Sequence, residues 1–242
     1  MSTTVYTRYE VRRAFRNTRF FVFTLAFPVV MFFLIAAPNR DQELDGIPFA
    51  LYYMTGMICW GAMAAVIAGG ARIAAERSLG WQRQLRVTPL PVRTYFRAKV
   101  LTGYLTAALT IALMYLAGTS VGVRMPAGDW VKLTVLVLIG LIPFAVLGIL
   151  LGHLLTVDSM GPALGGLTAL FALVGGAWGP LVGTGFLRRL TEGVPSYWLV
   201  QAGKSVTTGE GWPATAWIVL AVWTLGLGVL AVRVYQRDTA RT

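Results

Sequence analysis

Charged residues are scarce in this chain of 242 residues: 13% are charged and 56% hydrophobic. A water-soluble globule of ordinary composition, about a quarter charged, is thereby excluded. Acidic residues are the rarer sign, 10 against 21 Lys and Arg. Cysteine and histidine occur once each, as Cys59 and His153. One cysteine inside an apolar run closes no disulfide framework and forms no CxxC site, so it reads as a small apolar filler. One histidine, with no HExxH and no paired carboxylates in an apolar segment, leaves an intramembrane enzyme without a metal cluster or a nucleophile with its base. His153 then reads as an interfacial or packing residue.

What is abundant comes in blocks. Six apolar stretches reach the ~20 residues that a ~30 Å hydrocarbon core demands of a helix: residues 20–38, 49–71, 100–123, 133–155, 160–183 and 214–232. None alternates apolar and polar residues as barrel strands do. The expected fold class is therefore an all-α integral membrane protein with six transmembrane helices. A cleaved signal is a poor reading of the first block, which is long for a signal core and is followed by five more. The expected division is a connecting segment over 1–19 and a six-helix domain over 20–242. Within the six stretches there is no Asp, Glu, Lys or Arg, which disfavours an ion-coupled carrier.

Assigning alternate segments to one side of the membrane gathers 15 of the 21 Lys and Arg with the N-terminus and leaves six opposite. Acidic residues divide four and six, so one face carries all of the net charge of +11. Basic residues near span ends are retained in the cytoplasm. Both termini and loop 72–99 are expected there, in a multi-pass protein of the cell membrane. The pI near 10.4 is then a topology signal that also suits anionic lipid, and nucleic-acid binding is not expected.

Loops 72–99 and 184–213 are the longest, and each is too short for an independent domain. Ala202-Gly203-Lys204-Ser205 resembles the end of a phosphate-binding loop, but the first glycine of that motif falls at Trp198. Asp158 and Ser159 are expected to cap the fifth span. Gly148 and Gly152, Gly161 and Gly165, and Gly175 and Gly179 are spaced for close helix approach.

The informative polar segment is loop 72–99. It runs Glu76-Arg77-Ser78-Leu79-Gly80-Trp81, then Leu85-Arg86-Val87-Thr88-Pro89-Leu90, then Tyr95 and Lys99. This resembles the ABC type-2 transporter permease family, with its Glu-Arg-x-x-Gly turn after the second span, Leu-x-x-Thr-Pro-Leu, and an aromatic residue and a lysine leading into the third. Ser78 departs from the second acidic residue common there, and Thr18 from the proline after Arg16-Asn17. Pro28 in the first span, Trp178 to Pro180, and Pro195-Ser196-Tyr197-Trp198 are similar to the family in this order.

The resemblance implies the membrane subunit of an ATP-driven exporter, with no catalytic site and no cofactor of its own; ATP and Mg would be held by a separate ABC ATPase subunit. Its other implied partners are a second permease copy, identical or a sister, membrane lipid and a small amphiphilic substrate, as in the antibiotic resistance branch. It also implies a cytoplasmic N-terminal interfacial helix and a coupling helix between spans two and three, with Glu76, Arg77, Gly80, Trp81, Leu85, Thr88 and Pro89 as the ATPase-coupling residues. On one helix through 76–88, Trp81, Leu85 and Thr88 share a face, and Glu76 reads as a partly solvated helix-end charge near Arg72. The implied path is lined by the second and fifth spans, here with Tyr53, Met57, Trp60, Met63 and Phe171. The alternatives are a non-transporting immunity or assembly factor, or an ion-coupled carrier.

Overall fold

The computed structural model describes residues 3–16, 18–44, 46–81, 84, 90–179 and 186–240. Over these residues it is a helical bundle with one small hairpin. Helix α1 (Thr3–Arg16) precedes α2 (Thr18–Ile35), which carries Pro28. A hairpin pairs β1 (Glu43–Leu44) with β2 (Ile47–Pro48) and leads into α3 (Phe49–Ile67) and α4 (Gly69–Ser78). Then follow α5 (Val92–Ser120), α6 (Ala127–Gly140), α7 (Ile142–Leu154) and α8 (Val157–Gly175). The chain ends with α9 (Phe186–Glu192), α10 (Pro195–Thr207) and α11 (Ala214–Ala240).

Five runs among the described residues are long and apolar enough to cross a membrane: Phe49–Ser78, Val92–Ser120, Ala127–Leu154, Val157–Gly175 and Ala214–Arg237. Thr24–Ile35 is a shorter apolar helix. With the family below, these make a multi-pass membrane protein.

The helix limits correct several expectations. The second run does not stop at residue 71 but continues to Ser78 through a one-residue break at Ala68, carrying Arg72, Glu76 and Arg77 with it. The fourth starts at Ala127 and breaks at Leu141, just ahead of Pro143, since proline cannot donate to the preceding turn. The fifth does not reach residue 183: Gly176 takes φ +77° and closes α8 in the left-handed conformation. Its N-cap is Thr156, in a reciprocal capping box with Ser159, and not Asp158. Residues 202–205 lie inside helix α10, so they form no phosphate loop.

Helix α3 is the axis of the bundle, buried almost all round from Ala50 to Ile67. Against it α5 lays a face of small residues that includes Thr102, Gly103, Thr106 and Ala107. The threonine hydroxyls donate to carbonyls four residues back and leave no polar group unmet. Helices α4 and α7 cross at van der Waals limits: a Cβ on Gly70 would lie 2.1 Å from the Gly148 carbonyl oxygen, and one on Gly152 2.7 Å from that of Gly70. The spacing of Gly148 and Gly152 thus serves packing within the chain, as does Gly175 against Ser196, whereas Gly161, Gly165 and Gly179 face open space. Cys59 is buried, its thiol 3.1 Å from the Leu199 carbonyl.

Candidate functional site

The polar loop that carries the family motif leaves the bundle at Ser78, where Leu79 and Gly80 (φ +66°) turn the chain. At that exit lies a cluster of buried charge. Glu76 and Glu10 side chains are each 1% exposed, and so is Lys99. The Lys99 ammonium sits between the two acids, 2.6 Å from Glu10 Oε1 and 2.5 Å from Glu76 Oε1. Arg13 Nη1 donates to the same Glu76 oxygen at 2.8 Å, and the Tyr95 hydroxyl to Glu76 Oε2 at 2.6 Å. Arg72 Nε stands 4.0 Å from Glu10 Oε1, and the Lys99 ammonium lies 5.2 Å from the Tyr95 ring centre. Two carboxylates are thus compensated by one buried ammonium and two partly exposed guanidinium groups. Buried charge is tolerated only where it is paired; Lys99 and Glu76 are closely hydrogen-bonded, whereas Arg72 Nε has only its 4.0 Å contact to Glu10.

Four helices meet through two adjacent residues. Successive side chains on a helix point ~100° apart, so Glu76 reaches α1 and α5 while Arg77 reaches the other way. Arg77 Nη1 donates to the carbonyls of Gly152, at 3.0 Å, and Leu155, at 3.4 Å. Those are the unsatisfied end groups of α7. The Glu-Arg pair of the motif is therefore a junction of α1, α4, α5 and α7.

Helix α1 docks here by one face. Tyr6 and Glu10 are buried, whereas Val5 and Tyr9 are exposed with Arg8, Arg12 and Arg16. The Tyr6 hydroxyl has no hydrogen-bond partner among the described residues. Burial, then the charges of Glu10 and Glu76, push its phenol far above the usual range and keep it neutral. The phenol packs toward Tyr95, ring centres 6.4 Å apart.

Of the expected coupling residues, the structure unites Glu76 and Arg77 in the junction and puts Gly80 and half-buried Trp81 just beyond it. Leu85, Thr88 and Pro89 lie outside the described residues. A single helix from 76 to 88 is excluded by the Leu79–Gly80 turn. The expectation that Glu76 is partly solvated is overturned by its 1% exposure. Tyr53, Met57, Trp60, Met63 and Phe171 are all buried in the core of the chain itself. Phe171 lies edge-on to Phe144, and Trp60 tilts against Phe27. His153 is a buried packing residue, flanked by Phe96 and Tyr235. Glu10, Arg13 and the pairing of Lys99 were missed by sequence reasoning. The signal was there: Tyr6, Glu10 and Arg13 recur at helical spacing around the only acid of a basic segment.

The family profile described as ABC-2 family transporter protein matches residues 38–233, and the chain belongs to that family. It is the membrane subunit of a transporter, and membership implies partnership with an ABC ATPase subunit. Among individual proteins, it is 27% identical over 191 residues, 78% of each chain, to the Bacillus subtilis (strain 168) protein named "Putative transport permease YvfS".

Proposed function

We propose that this chain is the membrane-spanning permease of an ATP-driven exporter that moves a small amphiphilic, drug-like or lipid-like molecule out of the cytoplasm. ATP and Mg belong to a separate ATPase subunit, and no catalytic step falls to this chain. The six-span topology counts α2 as the first span and keeps both termini and the loop after Ser78 in the cytoplasm, with α1 as the interfacial helix. The observation that carries the reading is the buried Glu76–Arg77 junction. It ties the start of the polar loop to four helices, so a partner that moves the loop moves the bundle. Trp81, Leu85, Thr88 and Pro89 are its proposed contact, in the helix-in-groove mode.

A second copy of the permease, identical or sister, is supported by α8, whose outward face shows Gly161, Gly165 and Gly166 with nothing within 4 Å of an added Cβ. Helices pack closely across such faces in lipid. Tyr53, Met57, Trp60, Met63 and Phe171 form the path only when helices part.

The buried Glu10, Glu76 and Lys99 lend one observation to an ion-coupled carrier. Against it, the cluster is compensated internally and sits at helix ends, whereas coupling-ion sites lie near the midplane. Reconstituted vesicles separate the two: export follows ATP and not a pH jump. The coupling test compares copurified ATPase and substrate-stimulated hydrolysis for wild type, Leu85→Glu and exposed Thr207→Ala. A carboxylate forced into an apolar groove costs several kcal/mol, so association should fall by orders of magnitude in Leu85→Glu alone. Full association and export in Leu85→Glu overturn the assignment.

A further inference from the structure

At the end of the bundle opposite the charge cluster, a pocket of about 370 Å³ opens between two helix-end turns. One wall follows α2: Arg40, Asp41 and Pro48, with Ala50 and Leu51 from the first turn of α3. The other follows α5: Val121, Gly122, Val123 and Arg124. Both walls are fixed by hydrogen bonds. Asn39 Nδ2 donates to the Ile35 carbonyl, Gln42 Nε2 to Asn39 Oδ1, and Phe49 N to the Gln42 carbonyl. Across the pocket, Val123 N donates to the Gly118 carbonyl, and Gly122 turns at φ +99°.

The chemistry of the lining is mixed in one particular way. Pro48, Ala50, Leu51, Val121 and Val123 are apolar, and beside them the lining carries two guanidinium groups, of Arg40 and Arg124, against one carboxylate, of Asp41. Arg124 makes no hydrogen bond or ion pair among the described residues, and Arg40 has only a loose contact, Nε 3.8 Å from the Oδ2 of Asp41, itself 92% exposed. Of the other cations at this end, the Lys132 ammonium donates to the carbonyls of Ser205, Gly209 and Glu210, Arg188 pairs with Glu192, and Arg189 and Lys204 lie outside the pocket. The same two helices expose Leu34 and Leu116 in or near their last turns, toward the membrane interior.

We infer that this pocket binds the phosphate headgroup of an anionic phospholipid. Guanidinium forks match phosphate oxygens with two parallel hydrogen bonds, the apolar wall takes the glycerol stem, and the exposed leucines meet the acyl chains. Nothing in this site depends on what energises transport. The bland alternative is that Arg40 and Arg124 only neutralise the carbonyl ends of α2 and α5.

The test uses the full chain in zwitterionic detergent, titrated with dihexanoyl phosphatidic acid, dihexanoyl phosphatidylcholine and inorganic phosphate and read by ligand-induced thermal shift and calorimetry. Phosphatidic acid should bind well above the other two. Arg124→Gln and Arg40→Gln should each weaken it about tenfold, and Lys204→Gln, exposed outside the pocket, should not. The melting midpoint without ligand should stay put, since both arginines are exposed. Equal affinity for phosphatidylcholine, or unchanged binding in both arginine variants, leaves only the helix-end role and overturns the site. Inorganic phosphate binding as tightly as the lipid overturns the lipid assignment in favour of a small-anion site.

Discussion

Replacing Lys99 by methionine keeps the stem of the side chain and deletes its ammonium. The consequences for the two acids differ. Glu76 keeps Arg13 at 2.8 Å and the Tyr95 hydroxyl at 2.6 Å. Among the described residues, Glu10 keeps only Arg72, at 4.0 Å. One carboxylate of 1% exposure is therefore stranded, and breaking a buried pair from one side costs about 3–5 kcal/mol. Against that stands the apolar docking of α1, in which Tyr6 is the one large apolar side chain fully buried, a contribution of about 1.5–3 kcal/mol. The Arg13–Glu76 pair also ties α1 to α4, so the penalty is of the same order as the docking energy, and α1 should loosen while the bundle stays folded.

Hydrogen exchange on the full chain in detergent reads this directly. In Lys99→Met, amides of Thr3–Arg16 should exchange faster by orders of magnitude while α3 and α5 keep their protection. Adding Glu10→Gln should restore much of the protection, because it removes the stranded charge; adding Glu76→Gln should restore far less. If α1 exchanges at the wild-type rate in Lys99→Met, or if both second substitutions rescue equally, the pairing described above does not hold α1.

Gly165→Leu adds a side chain where nothing lies within 4 Å, so the monomer should keep its thermal midpoint while self-association falls; cross-linking in membranes checks it, and an unchanged dimer fraction removes α8 from the contact. Gly148→Leu should instead lose folded yield, because its Cβ would lie 2.8 Å from the Ile67 carbonyl oxygen. For topology, single cysteines in a Cys59→Ala background at positions 83 and 43 should be respectively protected from and labelled by an impermeant reagent in intact cells; the reverse pattern inverts the assignment.

Apolar run length made the helices legible in the sequence, because lipid-spanning segments are selected by total hydrophobicity and the signal survives any detail of packing. What it did not show was where helices stop. Arg72 and Glu76 look like the end of a span when each charge is weighed alone, yet α4 runs on to Ser78 because partners from α1 and α5 meet the acid. Such compensation arises between positions 10, 13, 76 and 99, and no local window contains it. The break at Leu141 and the cap at Thr156 were local and readable, from Pro143 and from a Thr-x-x-Ser box. The motif itself drew attention to Glu76 and Arg77, but it gave their order along the chain and not their opposite directions.

Those directions bear on why polar groups stand at this junction where apolar ones would pack at least as stably. A well-packed apolar replacement of a buried ion cluster is often neutral or stabilising, so stability alone does not account for Glu10, Glu76 and Lys99. Apolar contacts are also tolerant of sliding, since their energy follows area and not direction. The junction demands direction: Glu76 must face α1 and α5 while Arg77 holds the carbonyl end of α7, and a rotation of α4 by one residue, ~100°, would aim the acid at those carbonyls if it ran one way and the guanidinium at Lys99 if it ran the other. Both reversals bring like charges or dipoles together. On the proposed coupling role, a push delivered at Leu79 therefore cannot be absorbed by α4 turning in place, and has to move α1, α5 and α7 with it. Helix α3 is spared that constraint by the break at Ala68, one turn before the cluster begins at Arg72.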